Sequence, residues 1–144
     1  MRQGVVGMML VSVLSLAALV RGDSVNSPSK APSPVEMAEL FLDAVAAGKI
    51  DGAFDTLLAG SPLLQQGSSV DMLKAQAKAQ LPLFGEVLRR ESIDRKDIGT
   101  AVVVLKYVVH QEKEPMTWGF VFYKPRDRWL VTSMRWTPSL EYLK

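Results

Sequence analysis

The stretch from Thr100 to His110 reads T-A-V-V-V-L-K-Y-V-V-H, and it decides how the rest of the chain is interpreted. Most of its residues are β-branched or aromatic, which predicts a β-strand. Side chains alternate between the two faces of a strand. One face is wholly apolar and carries Ala101, Val103, Leu105, Tyr107 and Val109. The other face becomes polar toward its end, at Lys106 and His110, so we expect the first face to be buried.

Three more strands are predicted around this one, joined by turns. In chain order the predicted strands are Glu86–Ile93, Thr100–His110, Met116–Tyr123 and Trp129–Trp136. The first is mixed in composition and edge-like, and the polar segment Asp94–Gly99 is expected to form the turn that follows it. Lys124–Asp127 is expected to form a tight turn with Pro125 at its second position. This order predicts a four-stranded antiparallel meander.

Helix signals precede the strands. Ser33-Pro34-Val35-Glu36 has the form of a capping box with proline at the first helical position. An apolar stripe of Met37, Leu40, Phe41 and Ala44 follows at helical spacing, and Gly48 ends the helix. A second helix is expected to be capped by Asp51, and a third to run from a cap within Ser68–Asp71 to Pro82 and Gly85. Helices segregated from strands predict an α+β fold, with three helices packed on one face of the sheet.

The N-terminal segment has the pattern of a secretory signal. Arg2 precedes an uncharged apolar run, Val5–Val20, which ends at Arg21-Gly22. We therefore predict a cleavable signal peptide over 1–22, export, and no stable membrane anchor after cleavage. The alternative is an uncleaved anchor, but a spanning helix needs about 20 apolar residues. A flexible Ser/Pro linker is predicted over 23–33, the folded domain over 34–138, and a short tail over 139–144.

Composition excludes several kinds of site. The 144 residues contain no Cys, which excludes disulfides, Cys-ligated zinc, iron–sulfur clusters and thiol catalysis. They contain a single His. Removal of Arg2 and Arg21 with the signal peptide leaves equal numbers of basic and acidic residues. A neutral domain has no general attraction to nucleic acid. No phosphate-binding glycine loop or H-E-x-x-H motif is present, and we predict no metal and no cofactor.

Several segments resemble the nuclear-transport-factor-2-like (NTF2-like) superfamily, a cystatin-like, cone-shaped α+β fold that ketosteroid isomerase and scytalone dehydratase share. They are Ala38–Lys49, Asp51–Phe54, Phe84–Arg90, Trp118–Tyr123 and Asp127–Val131. Their order, from about Pro34 to Pro138, is similar to that of small exported members of uncharacterised role. The resemblance implies a curved sheet around the first helix, a cavity at the open end, and frequent dimers, here expected through the sheet. It implies no activity, and no catalytic residue matches a motif of the enzymes.

Two residues are weak candidates for proton transfer. Histidine is the residue type whose ordinary pKa is nearest neutrality, but the alternation of the strand places His110 on the polar face, which favours a surface role. Tyr107 lies on the apolar face, where its hydroxyl needs a hydrogen-bond partner or a cavity. A core tyrosine bonded within the protein is the simpler interpretation.

Aromatic residues provide the candidates for a ligand pocket. They are Phe41, Tyr107, Trp118, Phe120 and Trp129. Aromatic strand faces more often form core than binding sites. We expect a non-catalytic domain that binds a small apolar ligand or an envelope partner. The alternatives are a cofactor-free isomerase, dehydratase or cyclase that uses Tyr107 and His110, and a filled domain whose outer sheet face is functional.

Overall fold

The first helix is positioned by the capping box that the sequence predicts. In the computed structural model, which describes residues 30–138, α1 spans Pro34–Ala46. Glu36 N donates to Ser33 Oγ at 3.2 Å, and Ser33 N donates to the Glu36 carboxylate at 2.7 Å. These two bonds satisfy amide groups that the helix itself leaves unpaired. The helix ends at Ala46, and Gly48, with φ +77°, redirects the chain.

Two further helices complete the helical layer. Helix α2 spans Ile50–Leu57 and α3 spans Ser68–Gln80, and each is followed by a short 3₁₀ turn, Pro62–Gln66 after α2 and Leu81–Phe84 after α3. The expectation that Asp51 and the Ser68–Asp71 segment supply side-chain caps is wrong, because both helices begin without a side-chain cap bond. Asp51 and Asp71 instead lie in the first turns of their helices, where a negative charge interacts favourably with the helix dipole.

The four strands pair in sequence order. They are β1 (Val87–Ile98), β2 (Val102–Gln111), β3 (Pro115–Tyr123) and β4 (Leu130–Thr137). Every neighbouring pair is antiparallel, so the sheet is the predicted meander. The helices and the curved sheet give the predicted α+β fold class.

The core lies between the helices and the face of β2 that the alternation predicts. Val103, Leu105, Tyr107 and Val109 are at most 5% exposed. Facing helical residues, such as Phe41 and Phe54, are also buried. At about 25 cal/mol per Å² of apolar surface, burial of this layer is the main favourable contribution to folding.

Strand β1 is longer than the sequence predicts. The expected turn at Asp94–Gly99 is wrong, because the strand continues to Ile98 and the turn follows at Gly99, which has φ +62°. Most side chains of β1 are exposed, so most of its charged residues carry little burial cost. Pairing with β2 supplies the main-chain bonds, and the register shifts by one residue at Leu88 and again at Ile93.

Three predicted segments lie wholly or largely outside the described residues. They are the signal peptide (1–22), most of the linker (23–33) and the C-terminal tail (139–144). Within residues 30–138, no helix is long and apolar enough to cross a membrane.

Candidate ligand-binding site

Four of the five aromatic candidates form a packed cluster between α1 and the sheet. The Phe41 ring lies edge-on to Trp118 and to Phe120, with ring centroids 5.3 and 5.7 Å apart. Tyr107 lies edge-on to Phe120 at 6.2 Å. All four side chains are at most 2% exposed. Such contacts add to area burial, so the primary role of this cluster is to hold α1 on the sheet.

The Tyr107 hydroxyl has a partner within the protein. It donates a hydrogen bond to the Glu39 carboxylate of α1. Arg90 of β1 binds the same carboxylate, with Nε 2.6 Å from Glu39 Oε2, and its Nη1 is 2.5 Å from Asp43 Oδ1. Burial raises the pKa of the Tyr107 phenol, and the negative charge of Glu39 raises it further. This hydroxyl is therefore a proton-bearing donor that joins β2 to α1.

His110 lies on the opposite face of the sheet from Tyr107. Its Nε2 is 2.7 Å from Glu91 Oε2, and its side chain is 29% exposed. The hydrogen bond from His110, with the charge of Arg89, lowers the pKa of the Glu91 carboxyl. Because a sheet separates the two residues, the structure does not bring His110 and Tyr107 into one site.

Trp129, the fifth aromatic candidate, lies at the margin of the core. It follows the β3–β4 turn and is half-buried, with Lys124 Nζ 5.2 Å from its ring centroid. This is a cation–π contact at the end of the sheet. Trp129 therefore packs against the core from its margin, and not inside it with Phe41 and Trp118.

A cavity of about 300 Å³ opens at the other end of the sheet, where β1 begins and β2 ends. Seven elements contribute to its wall: the end of α1, the start of α2, the end of α3, the 3₁₀ turn that follows α3, and the first three strands. Its lining residues are Val45, Ala46, Gly48, Ile50, Lys78, Leu81, Pro82, Gly85, Glu86, Val87, Val109, Gln111 and Trp118. Most of these are apolar or small, so the cavity is suited to an apolar ligand.

Three polar side chains interrupt the apolar wall. Gln111 Nε2 donates to Leu81 O at 3.0 Å and to Gly85 O at 2.9 Å, which fixes the 3₁₀ turn against β2. Because these bonds use the amide hydrogens, the carbonyl oxygen is the group that Gln111 offers to a ligand. Lys78 Nζ lies 2.5 Å from Asp51 Oδ2, and Glu86 supplies a carboxylate. Their opposite charges give the rim little net charge.

A second groove, of about 290 Å³, lies between α1 and α2 on the outer side of the helical layer. Its wall is almost wholly apolar and includes Phe41 and Leu40, of which Leu40 is 60% exposed. Tyr107, Phe120 and His110 line neither this groove nor the cavity at the start of β1.

Local sequence patterns do not identify most of the residues that line the cavity. Trp118 is the one predicted pocket residue that lines it. Ile50, Leu81 and Gln111 belong to separate elements, and only the tertiary fold brings them together. Within residues 30–138, no group of three acidic or histidine side chains is placed to hold a metal ion.

Comparison with known proteins supports the fold. No protein-family model matches the sequence, and no curated protein matches it. Among solved structures, a provisionally assigned NTF2-like transpeptidase from Campylobacter jejuni matches with a TM-score of 0.54. The match covers 71% of this chain and 99% of the other, at 16% sequence identity.

The chain has the NTF2-like fold. The resemblance that the sequence shows to this superfamily is therefore confirmed for the architecture. At 16% identity the likeness concerns the NTF2-like fold alone. A shared fold does not define a function, which depends on the cavity and the surfaces of this chain.

Proposed function

We propose that this NTF2-like domain is an exported, non-catalytic binding protein that takes a small apolar ligand in the cavity beside Trp118. The cavity itself carries the proposal. Ligand sites are typically concave, mainly apolar, and supplied with a few polar groups that orient the ligand. The cavity at the start of β1 has this composition, with Gln111, Lys78 and Glu86 as the polar groups.

The dimensions and polarity of the cavity define the ligand class. A volume of about 300 Å³ is at the small end of the range for ligand pockets. This suits one aromatic ring or a short branched aliphatic chain. A hydroxyl or amide hydrogen on such a ligand would find an acceptor in Gln111. The paired charge of Lys78 and Asp51 supports a neutral ligand over a strongly charged one.

The geometry favours binding over the proton-transfer alternative. That alternative requires Tyr107 and His110 to face a common substrate. Tyr107 donates to Glu39 inside the core, and His110 binds Glu91 on the outer face of the sheet. Neither lines the cavity, whereas a general acid or base must reach its substrate directly or through one water.

A blocking variant with a matched control tests the proposal. Ala46 and Ala47 are adjacent, exposed residues at the end of α1, and Ala46 lines the cavity whereas Ala47 does not. A panel of indoles, phenols and short-chain alcohols would be screened by thermal shift. A ligand at about 100 times its Kd adds about 2.7 kcal/mol to the free energy of unfolding, which raises Tm by roughly 10 °C.

The Ala46→Trp variant is expected to lose this shift, because indole fills the mouth of the cavity, and Ala47→Trp is expected to retain it. Equal ligand shifts in both variants, or no shift with any class in the panel, would contradict the proposal.

Export is tested separately. The full chain, expressed in a bacterium with an active secretion pathway, is expected to appear outside the cytoplasm with Asp23 as its first residue. An intact N-terminus on a membrane-bound product would instead support the anchor alternative.

A further inference from the structure

The end of the sheet opposite the cavity carries a cluster of cations. The β1–β2 and β3–β4 turns meet there, since Lys124 N donates to Ala101 O at 2.8 Å. The second turn contains Lys124, Arg126 and Arg128, with Asp127 as its one acid. Within residues 30–138, no carboxylate forms an ion pair with any of these three cations. Their charge is thus available to an external partner.

Two of the cations line a depression. A surface depression of about 280 Å³ is bordered by the two cations Arg126 and Arg128, by the acid Asp127, and by Gly60, Pro125 and Leu130. Its cations outnumber its one carboxylate. Gly60 has φ +74°, and a side chain at this position would collide with the Arg128 guanidinium. A bare backbone thus leaves room for the guanidinium beside the turn. Planar guanidinium groups match phosphate oxygens well, because they can donate two parallel hydrogen bonds.

Apolar side chains adjoin the cations. Ile98, Val102, Tyr123 and Leu130 pair in turn across all four strands and form one register row. Ile98 is 50% exposed and Tyr123 is 43% exposed, although both are large and partly apolar. Trp129, half-buried beneath Lys124, lies next to this row. Aliphatic and aromatic side chains beside Lys and Arg are typical of surfaces that enter a membrane interface.

We propose that this surface, defined by Lys124, Arg126, Arg128, Ile98 and Tyr123 and here called the basic tip, docks on an anionic phospholipid membrane. The arginines bind headgroup phosphates while Ile98 and Tyr123 reach the acyl boundary. An acidic protein would satisfy the cations but gives no reason for the exposed apolar row. The charge and the apolar contacts together therefore favour lipid.

Docking at the basic tip leaves the cavity accessible. Val102 and Gln111 mark the two ends of β2, nine residues apart, which corresponds to about 30 Å along a strand. The tip lies at the first end and the cavity at the second. A docked domain therefore presents its cavity away from the membrane surface, and the two proposals can fail independently.

The test uses the full chain and a fluorescent label at two positions. Because the sequence contains no Cys, a single introduced Cys takes a nitrobenzoxadiazole label selectively. Thr100→Cys places it in an exposed turn at the tip, and Glu114→Cys places it in an exposed turn at the opposite end. Vesicles are phosphatidylcholine alone or an equimolar mixture with phosphatidylglycerol.

We expect the label at position 100 to shift to the blue with the anionic vesicles and not with phosphatidylcholine, and the label at position 114 to remain unchanged. Each basic residue near an anionic surface contributes about fivefold to partitioning. Combining Arg126→Gln and Arg128→Gln is expected to weaken the response about 25-fold. The matched control combines Lys49→Gln and Lys113→Gln, which remove two exposed cations away from the tip. This control is expected to change the vesicle response by no more than a few-fold.

All these variants share residues 1–22, so any membrane affinity of that segment cancels between them. Arg126→Glu alone is a second variant that leaves Arg128 beside Gly60, in case the double change disturbs the turn. The proposal is overturned by equal shifts at positions 100 and 114, or by a response that persists in both arginine variants. It is also overturned if soluble polyglutamate gives the same response, which would indicate an acidic protein as the partner. A shift that grows with protein concentration in the absence of vesicles would overturn it as well, because it would indicate a second copy of the chain.

Discussion

Replacement of Tyr107 by Phe tests whether this hydroxyl has a structural role. The side chain is 1% exposed, and its hydroxyl donates to the charged carboxylate of Glu39. A hydrogen bond to a charged group contributes about 1.5–3 kcal/mol. The Glu39 side chain is 36% exposed, so water can replace part of the lost bond. We therefore expect Tyr107→Phe to lower the free energy of unfolding by about 1–2 kcal/mol at neutral pH.

The pH dependence provides a second readout. Burial and the Glu39 carboxylate raise the pKa of Tyr107 in the folded protein above its ordinary value of 10.0. The native state thus holds this proton more tightly than the unfolded chain. The resulting stability is fully present below about pH 10 and is lost as pH rises through the folded-state pKa. The Tyr107→Phe variant has no such contribution to lose. The difference in free energy of unfolding between the two proteins should therefore narrow above about pH 10.

Urea denaturation followed by tryptophan fluorescence measures both effects. Tyr123→Phe is the matched control, because its side chain is 43% exposed, and it should unfold like the original chain at neutral pH. If Tyr107→Phe matches the original chain at neutral pH, the hydroxyl has no structural role. If the difference in free energy of unfolding between the two proteins stays constant across the alkaline range, the assigned cause of the pKa shift is refuted.

Three other changes have expected outcomes. Phe41→Ala should lower the free energy of unfolding, measured by urea denaturation, by about 4 kcal/mol, because it empties a buried aromatic site. Leu40→Ala, at a position that is 60% exposed, should lower it by under about 0.5 kcal/mol. Similar losses in the two variants would mean that the burial pattern of α1 is wrong. Arg90→Met should lower the free energy of unfolding by about 1–2 kcal/mol, since it removes the cation that pairs with two α1 carboxylates, and added salt should reduce the loss. A loss independent of salt would indicate that packing is the cause. His110→Leu should raise the Glu91 pKa toward its ordinary value, because leucine cannot donate the hydrogen bond that chiefly lowers it. A ¹³C NMR titration of the Glu91 carboxyl would show no movement if the contact were absent in solution.

Local sequence patterns were sufficient to predict the layers of the fold. The alternation of β2 correctly identified Leu105 and Tyr107 as buried, because a strand with one apolar face has a single way to bury it. The capping box at Ser33 correctly placed the start of α1. Both signals operate within a few residues, so no knowledge of the rest of the chain is needed to interpret them.

Two features depended on contacts that the sequence does not encode locally. The segment from Asp94 to Asp97 has the composition of a turn, yet pairing with β2 holds it in a strand. The cavity likewise combines Ile50, Leu81 and Gln111, which are neighbours only after folding. Tertiary pairing overrides local propensity in the first case, and long-range packing creates the site in the second.

Both edges of the sheet carry features that discourage the addition of another strand. On β1, the two register shifts at Leu88 and Ile93 bend the edge, and charged side chains follow along it. On β4, the main-chain carbonyl of Val131 already accepts a hydrogen bond from the Ser61 hydroxyl. These features disfavour lengthening of the sheet by edge-to-edge pairing with a second copy. The homodimer that the sequence predicts through the sheet is therefore better served by contact between sheet faces.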